Sequence, residues 1–443
     1  MKFFIHSKYG EILDLALHLQ QTGHEVVFYV PEHDYSLVGE GLVPKVDNWI
    51  SFLEQDYTWV FDGCSDGKFQ DWLRSKGEQV FGGSQRGDRM ENDRQLNQAW
   101  FKAAGFAQPK SRNFTDFNEA LKFVEAHPDN LWILKQNGEA PKHLSHMGKF
   151  PGQEDMIFHL EQLKKNWSIG EYGPVDFDLA EIVQGMEVAA SVWFNGEDFL
   201  RTEDGLITGF LNFEEKKEGN GGTGETCGEM GTTFIQADER NKLFNRIVNR
   251  PKILEGLQKM KFRGVFDINC IQQEDGKLTA LEPTMRLGIP STSYEMEEAL
   301  GNCAEVIEAV ATGQQVAPQL TPGIGMVMCL VAKPFPIEAD VEKEATSQEE
   351  RLWILEQDNP IASLTPDQAK HIHLYNFHFE DGVYKVATKN GYLLTVTGSG
   401  ETISRTRSSL IKYIKNNLYL PGMKYRTDIG VRVEQAFAKR KER

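Results

Sequence analysis

Over its first hundred residues the chain alternates short apolar runs with helical periodicities, which points to an α/β unit built on a parallel sheet. Lys2–His6 reads as a buried strand. Glu11–Gln21 carries Ile12, Leu15, Ala16 and Leu19 at helical spacing and stops at Gly23. Strands are predicted again at Glu25–Val30, Trp59–Phe61 and Gln79–Phe81. Between the last two lies a helix at Gly67–Ser75, with Phe69, Trp72 and Leu73 on one face. A further helix over Asp93–Ala104 closes this region at Gly105.

Beyond residue 105 the texture changes. Strands are predicted at Trp132–Lys135, Glu181–Val183 and Val188–Phe194, and a strand pair at Gly264–Gln272 and Leu278–Glu282, joined by Glu274-Asp275-Gly276. The thirteen positions Gly219–Gly231 hold six glycines, too many for the interior of a helix or strand, and predict a loop. From Pro290 to about Thr312 the pattern is helical, and a strand follows at Gly325–Ala332. The remainder reads as a small α+β domain. Its strands lie near His373–Phe379, Gly382–Ala387 and Tyr392–Gly398, and its helix at Arg405–Asn416 has Ser404 as N-cap.

Composition removes several classes of function. At about 150 residues per domain, 443 residues make two to four domains. No apolar stretch approaches the ~20 residues of a membrane span, and Met1–His6 is too short for a signal peptide. The five cysteines form no CxxC pair and no zinc spacing, which fits a reducing cytoplasm. With 65 Asp+Glu against 48 Lys+Arg, the net charge of −17 disfavours a nucleic-acid partner.

Four features follow in order. Lys135 ends an apolar strand. Glu181 and Glu187 bracket the apolar Ile182-Val183. The glycine run comes next, and then Asp267 and Glu282 fall on neighbouring predicted strands, with Arg286 four residues on. Taken singly, Lys135, Glu181 and Glu187 read more often as solvated surface charges, and Asp267 beside Glu282 could be an ordinary pair around Arg286. Together they suit a nucleotide and a metal. Glu282 and Asp267 are hard oxygen ligands for Mg²⁺. Lys135 can offset phosphate charge, Ile182-Val183 can offer backbone groups to a base edge, and Glu187 can accept ribose hydroxyls. Arg286 supplies a fork for a carboxylate or phosphoryl oxygen.

The sequence resembles the ATP-grasp superfamily and, within it, the phosphoribosylamine–glycine ligases. Phe81-Gly82-Gly83-Ser84 through Met90-Glu91-Asn92-Asp93-Arg94 is similar to that family's strand, Gly-Pro-Ser turn and Leu-Glu-x-x-Lys helix. Glu181 through Glu187 matches Glu-x-x-x-Gly-x-Glu, and Glu225 through Gly231 echoes Asn-Thr-Gly-Gly-Met-Gly. Leu281 through Gly288 stands where the family has Leu-Glu-Phe-Asn-x-Arg-Phe-Gly, and Tyr425 through Gly430 matches Tyr-Arg-x-Asp-Ile-Gly. The departures fall on substrate positions. Ser7-Lys8-Tyr9-Gly10-Glu11 replaces Gly-Gly-Arg-Glu-His, and Glu139–Lys149 replaces a glycine phosphate lid, leaving Lys142 and Lys149 as candidate phosphate contacts. Thr284 replaces the metal-binding Asn, and Gly288-Ile289-Pro290-Ser291 lacks two family carboxylates.

The resemblance implies an α/β and α+β multidomain protein of ATP-grasp fold. A Rossmann-like N-terminal domain would cover 1–104, an ATP-grasp domain 105–320 with a lid at about 130–190, and an α+β domain 321–443. It implies an ADP-forming ligase that makes an amide through an acyl phosphate, using ATP and Mg²⁺ or Mn²⁺. ATP would meet Lys135, Glu181, Ile182, Val183, Glu187, Lys142 and Lys149; the metal would meet Asp267, Glu282 and Thr284; Arg286 would be catalytic. The expected partners are a small carboxylate and an amine, an amino acid among them, with no nucleic acid or membrane, in a cytoplasmic monomer or small homo-oligomer. Two alternatives stand beside this: a true phosphoribosylamine–glycine ligase, and an ATP-binding shell with impaired catalysis.

Overall fold

The structure, a computed structural model, describes residues 1–137, 144–333, 335, 371–388, 390–418 and 422–441. They group into two compact units. The first comprises Met1–Asp93, Glu187–Asn269 and Glu282–Arg443; the second comprises Arg94–Met186 and Cys270–Leu281.

The first unit opens with β1 (Lys2–His6), α1 (Leu13–Gln21), β2 (Glu25–Tyr29), β3 (Thr58–Phe61), α2 (Gly67–Ser75), β4 (Gln79–Phe81) and α3 (Gln85–Asn92). The four strands form a parallel sheet in the order β2-β1-β3-β4. Phe4, Trp59, Phe61, Leu73 and Val80 pack together on it. Strands covered on both faces carry continuous apolar runs, which is why this region was readable from its residues. The helix expected at Asp93–Ala104 is α4 (Arg94–Ala103); a separate helix, α3, precedes it, with Asp93 between the two in an extended conformation. Ser84 caps α3, accepting from the Gly87 N–H at 3.0 Å.

The second unit contains α4, β5 (Ser111–Phe114), α5 (Phe117–Glu125), β6 (Trp132–Gln136), β7 (His146–Met147), α6 (Glu154–Asn166), α7 (Ile169–Tyr172) and β8 (Phe177–Glu181). The antiparallel sheet β5-β8-β6-β7 buries one face. Trp132, Leu134, Phe177 and Leu179 pack there with Ala120 and Val124 of α5 and Met156 and Leu160 of α6. Alternation along the strands puts Ile133, Lys135, Asp178 and Ala180 on the other face. The strand expected at Glu181–Val183 ends at Glu181, so Ile182 and Val183 continue in irregular backbone.

An eight-stranded sheet has the order β15-β14-β9-β10-β13-β16-β20-β17. Its strands are β9 (Met186–Phe194), β10 (Thr208–Glu214), β13 (Gly231–Asp238), β14 (Gly264–Gln272), β15 (Leu278–Thr284), β16 (Ile324–Val331), β17 (Ile372–Leu374) and β20 (Tyr392–Gly400). Helices α8 (Lys242–Val248), α9 (Pro251–Met260) and α10 (Cys303–Thr312) complete the middle of the chain. The C-terminal stretch joins this sheet, because β16 pairs with β13 on one side and β20 on the other.

The glycine run is not a bare loop. It folds into the hairpin β11 (Lys217–Gly219) and β12 (Thr223–Thr226). Gly221 and Gly222 lie in its turn, where both take φ +69, which side chains resist. The stretch expected as one strand near His373–Phe379 is β17 plus β18 (Phe377–Glu380), which pairs with β19 (Val383–Val386). The final helices are α11 (Ile403–Asn417) and α12 (Val431–Lys441). The cap of α11 is Thr402, not Ser404: its hydroxyl accepts from the Arg405 N–H at 3.2 Å. Among the described residues no helix is long and apolar enough to cross a membrane.

Candidate functional site

In the first unit β9, β10, β14 and β15 bring most of the expected acidic residues together. Lys216, two residues past the end of β10, reaches Glu187 on β9 at 2.8 Å, Glu214 at 3.2 Å and Glu282 on β15 at 3.8 Å. Burial works against the ammonium, but the three carboxylates outweigh it and hold the Lys216 pKa well above the usual range.

Beside this ion group is a second, deeper one. Asn212 of β10 donates through Nδ2 to Asp267 Oδ2 at 3.1 Å and to Glu295 Oε1 at 2.8 Å, and Ser191 Oγ donates to the same Glu295 oxygen at 2.6 Å. Burial is the main reason the Asp267 carboxyl titrates well above the ordinary carboxylate range, with Glu214 and Glu295 adding to it. Burial likewise pushes Glu295 up to about 7. The second carboxylate oxygen of Asp267 is buried and has no hydrogen-bond partner. A buried carboxylate oxygen without a partner, beside three carboxylates gathered on one ammonium, suits a hard divalent cation. Glu282 and Asp267 are therefore compatible with the metal role expected of them. Thr284 is half-buried at the end of β15.

Arg286 belongs to a separate group at the carboxyl end of the parallel sheet. Its Nε lies 3.2 Å from Glu91 Oε1, and the Met285 N–H donates to Glu91 Oε2 at 2.7 Å. The helix α3 that follows the Gly82-Gly83-Ser84 turn thus grips the segment carrying Arg286. Burial opposes the charge on Arg286, yet Glu91, Cys64 and Glu11 raise its pKa above that of a free guanidinium. On the same sheet end Ser7, just past β1, donates to Asp62, just past β3. Burial, and secondarily Glu11, push Asp62 up to about 7.

The remaining expected residues belong to the second unit. Lys135 is half-buried on the face of its sheet opposite the core, with Asp178 across from it in register. Glu181 accepts from Asn130 Nδ2 at 3.1 Å and lies 3.5 Å from Lys110 Nζ. The Ile182 N–H donates to the Leu131 carbonyl at 2.8 Å, so that donor is engaged, while Ile182 and Val183 are half-buried. Gly185 has a steric reason to be glycine, because a Cβ there would stand 2.5 Å from the Gln272 carbonyl oxygen. Lys149 is exposed, and its backbone N–H donates to Asp155 Oδ2 at 2.7 Å. Lys142 lies outside the described residues.

Sequence reasoning missed Lys216, Asn212 and Glu295. The signal for Lys216 was its alternation with Glu214 at the end of an apolar strand, hidden in the charged run Glu214–Glu218. It also missed what the C-terminal motif does. Arg426, buried with Glu215 at 3.1 Å, donates to the Lys217 carbonyl at 3.0 Å and makes two 2.9 Å bonds to Asp428. Asp428 accepts from the Gly221 N–H at 2.7 Å, and Asn220 and Thr427 exchange two further bonds. Residues 425–430 thus clamp the glycine hairpin.

No protein-family model matches the sequence. The chain is 25% identical over 373 residues to a phosphoribosylamine–glycine ligase of Nostoc sp., covering 82% of this chain and 80% of that one. The phosphoribosylamine–glycine ligase of Thermotoga maritima superposes with a TM-score of 0.68 at 19% identity, over 97% of this chain and all of that one. A biotin carboxylase domain from Hydrogenobacter thermophilus, solved with MgADP and bicarbonate, superposes with a TM-score of 0.63 at 12% identity, over 96% and 92% of the two chains. The chain thus has the ATP-grasp fold and is similar in sequence to the phosphoribosylamine–glycine ligases.

Proposed function

We propose that the protein is an ATP-dependent, ADP-forming ligase that joins a carboxylate to an amine. The observation that carries this reading is the acidic group of Glu187, Glu214 and Glu282 around one ammonium with the buried Asp267 beside it, on strands of a fold shared with a structure that holds MgADP. In the reaction a substrate carboxylate oxygen attacks the γ-phosphorus of ATP and ADP leaves. The amine nitrogen then attacks the carbonyl carbon, inorganic phosphate leaves, the nitrogen gives up a proton, and the amide forms. No protein nucleophile is needed.

Glu282 and Asp267 would hold Mg²⁺, or Mn²⁺ in its place, with Thr284 beside them. When bound, the metal neutralises phosphate charge. Lys216 does a similar task for the carboxylates themselves. Arg286, held protonated by Glu91, would stabilise negative charge on the acyl phosphate and the tetrahedral intermediate. Lys135, Glu181, Ile182, Val183 and Glu187, with Lys142 and Lys149, are the proposed nucleotide contacts. In this reading residues 1–104, 105–320 and 321–443 are the three domains, with a lid at about 130–190. The setting proposed is the cytoplasm, where the five free cysteines stay reduced. The proposed partners are small molecules, and the proposed assembly is a monomer or small homo-oligomer.

A second, narrower reading is the relatives' own reaction, joining glycine to phosphoribosylamine. The 25% identity over four-fifths of both chains favours it. Ser7, Lys8 and Glu11 in place of that family's substrate motif separate the two readings. Glu282→Gln is expected to lower ADP formation about 100-fold or more with the melting temperature kept. Unchanged ADP release by a folded Glu282→Gln enzyme would refute the metal assignment. Phosphoribosylamine and glycine as the sole productive pair would establish the narrower reading.

A further inference from the structure

A second cluster of metal-ligating side chains lies inside the first unit, on α1, the helical turn Ser293–Glu298 and β17. Asp14, Glu297 and His373 each present one donor atom, and the three atoms lie within 4.8 Å of one another. Among the described residues this is the only set of three or more His, Cys, Asp or Glu donors that converges in this way. Asp14 is 2% exposed, and the side chains of His373 and Glu297 are 3% and 5% exposed. These are buried ionisable groups, not the solvated acidic patches that proteins carry without consequence.

Their surroundings are organised as an outer shell. His373 Nδ1 is 2.7 Å from Glu297 Oε2, and its Nε2 is 2.7 Å from Thr397 Oγ1 on β20. A proton on Nε2, donated to Thr397, leaves the Nδ1 lone pair directed at the two carboxylates. Ser293 Oγ donates to Asp14 Oδ2 at 2.7 Å, and the Leu15 N–H donates to Asp14 Oδ1 at 2.9 Å. Tyr375 and Thr395 hold the Ser293 hydroxyl at 2.7 and 3.0 Å. One atom stands outside this scheme: Glu297 Oε1 is buried and has no hydrogen-bond partner. The other charged groups acting here are Glu298, His18 and His371, and none of these is a lysine or arginine.

Two carboxylates buried against one imidazole must be neutralised by protons or by a cation. Asp14 and Glu297 are hydrogen-bonded to each other, so one shared proton neutralises one of the two charges, whereas a cation neutralises both. A cation would take the orphaned Glu297 oxygen as a ligand and would also account for the orienting bonds on Asp14 and His373. One nitrogen and two oxygen donors suit a first-row divalent ion of borderline hardness better than Mg²⁺, which favours all-oxygen shells. We propose that Asp14, Glu297 and His373 bind one structural Zn²⁺ or Mn²⁺ ion, separate from the ATP-associated metal. The ion joins a helix near the start of the chain to a strand near its end.

The test uses the full chain without nucleotide, stripped with chelator and equilibrated with Zn²⁺ alone or Mn²⁺ alone, then freed of excess ion. Elemental analysis is expected to find one equivalent per chain. His373→Gln, verified as folded by circular dichroism, is expected to lose it, while Glu282→Gln retains it. Thr397→Val, which leaves all three ligands in place, is expected to weaken binding about 10- to 100-fold. Cobalt loading supplies an independent readout, with visible absorption in the wild type and none in His373→Gln. The proposal falls if the wild type binds neither ion at stoichiometry. It falls equally if folded His373→Gln keeps the ion, or if Glu282→Gln loses it.

Discussion

Lys216 sits among Glu187, Glu214 and Glu282 as a built-in counter-cation. Removing it would leave like charges facing one another, at a cost of about 1–3 kcal/mol for a partly exposed group. Lys216→Met is therefore expected to melt at lower temperature than the wild type, and Mg²⁺ is expected to restore more of that loss than it adds to the wild type. Equal responses to Mg²⁺ would mean these carboxylates do not meet the metal. Asp62 gives a pH signature. Burial raises its pKa to about 7 in the fold, against about 3.9 when unfolded. The folded chain therefore keeps a proton that the unfolded chain releases, and the stability tied to it declines as pH rises from about 4 to about 7. Asp62→Asn, which keeps a partner for Ser7, is expected to gain melting temperature relative to wild type between about pH 5 and about pH 8. A constant difference would contradict that. At this scale motif spacing singled out Asp267, Glu282 and Arg286 as candidates. Lys216 was not singled out, because in a charged run an ammonium in a carboxylate cage looks like a solvated one.

Elements differ in how much of their fate is local. The parallel strands β1, β3 and β4 were legible as apolar runs, and α1 and α2 as periodic ones. The hairpin β11–β12 was not, because its stability comes from residues 425–430, about two hundred positions away in sequence. Arg426→Leu removes the buried partner of the Glu215 carboxylate and leaves it only the more exposed Arg432 at 3.5 Å, at an expected cost of about 1–3 kcal/mol. Limited proteolysis should then cut within 217–226. Adding Glu215→Leu is expected to recover part of the lost stability, and a double variant no better than the single one would show that the pair does not anchor the hairpin. The same long-range dependence explains the misplaced cap of α11. Both Thr402 and Ser404 suit an N-cap chemically, and Thr402 is selected because β20 runs on to Gly400.

At the scale of the whole molecule, sheet membership could not be read along the chain. Residues after 321 carry their own strand and helix signals, yet β16 and β20 extend the sheet of β10 and β13, since strand pairing is decided by partners far apart in sequence. The order of motifs, by contrast, did disclose the ATP-grasp fold, and the structural likeness over nearly the whole chain bears this out. Substrate identity was not legible, because the departures at Ser7–Glu11 and Gly288–Ser291 remove known contacts without naming new ones. The most direct test of the account is ADP release from ATP and Mg²⁺, measured with carboxylates and amines supplied singly and in pairs, glycine with phosphoribosylamine among them. The expected result is ADP formation that requires one particular pair and matches the amide formed mole for mole. Tight ATP binding with no turnover on any pair would contradict it and leave only a nucleotide-binding shell.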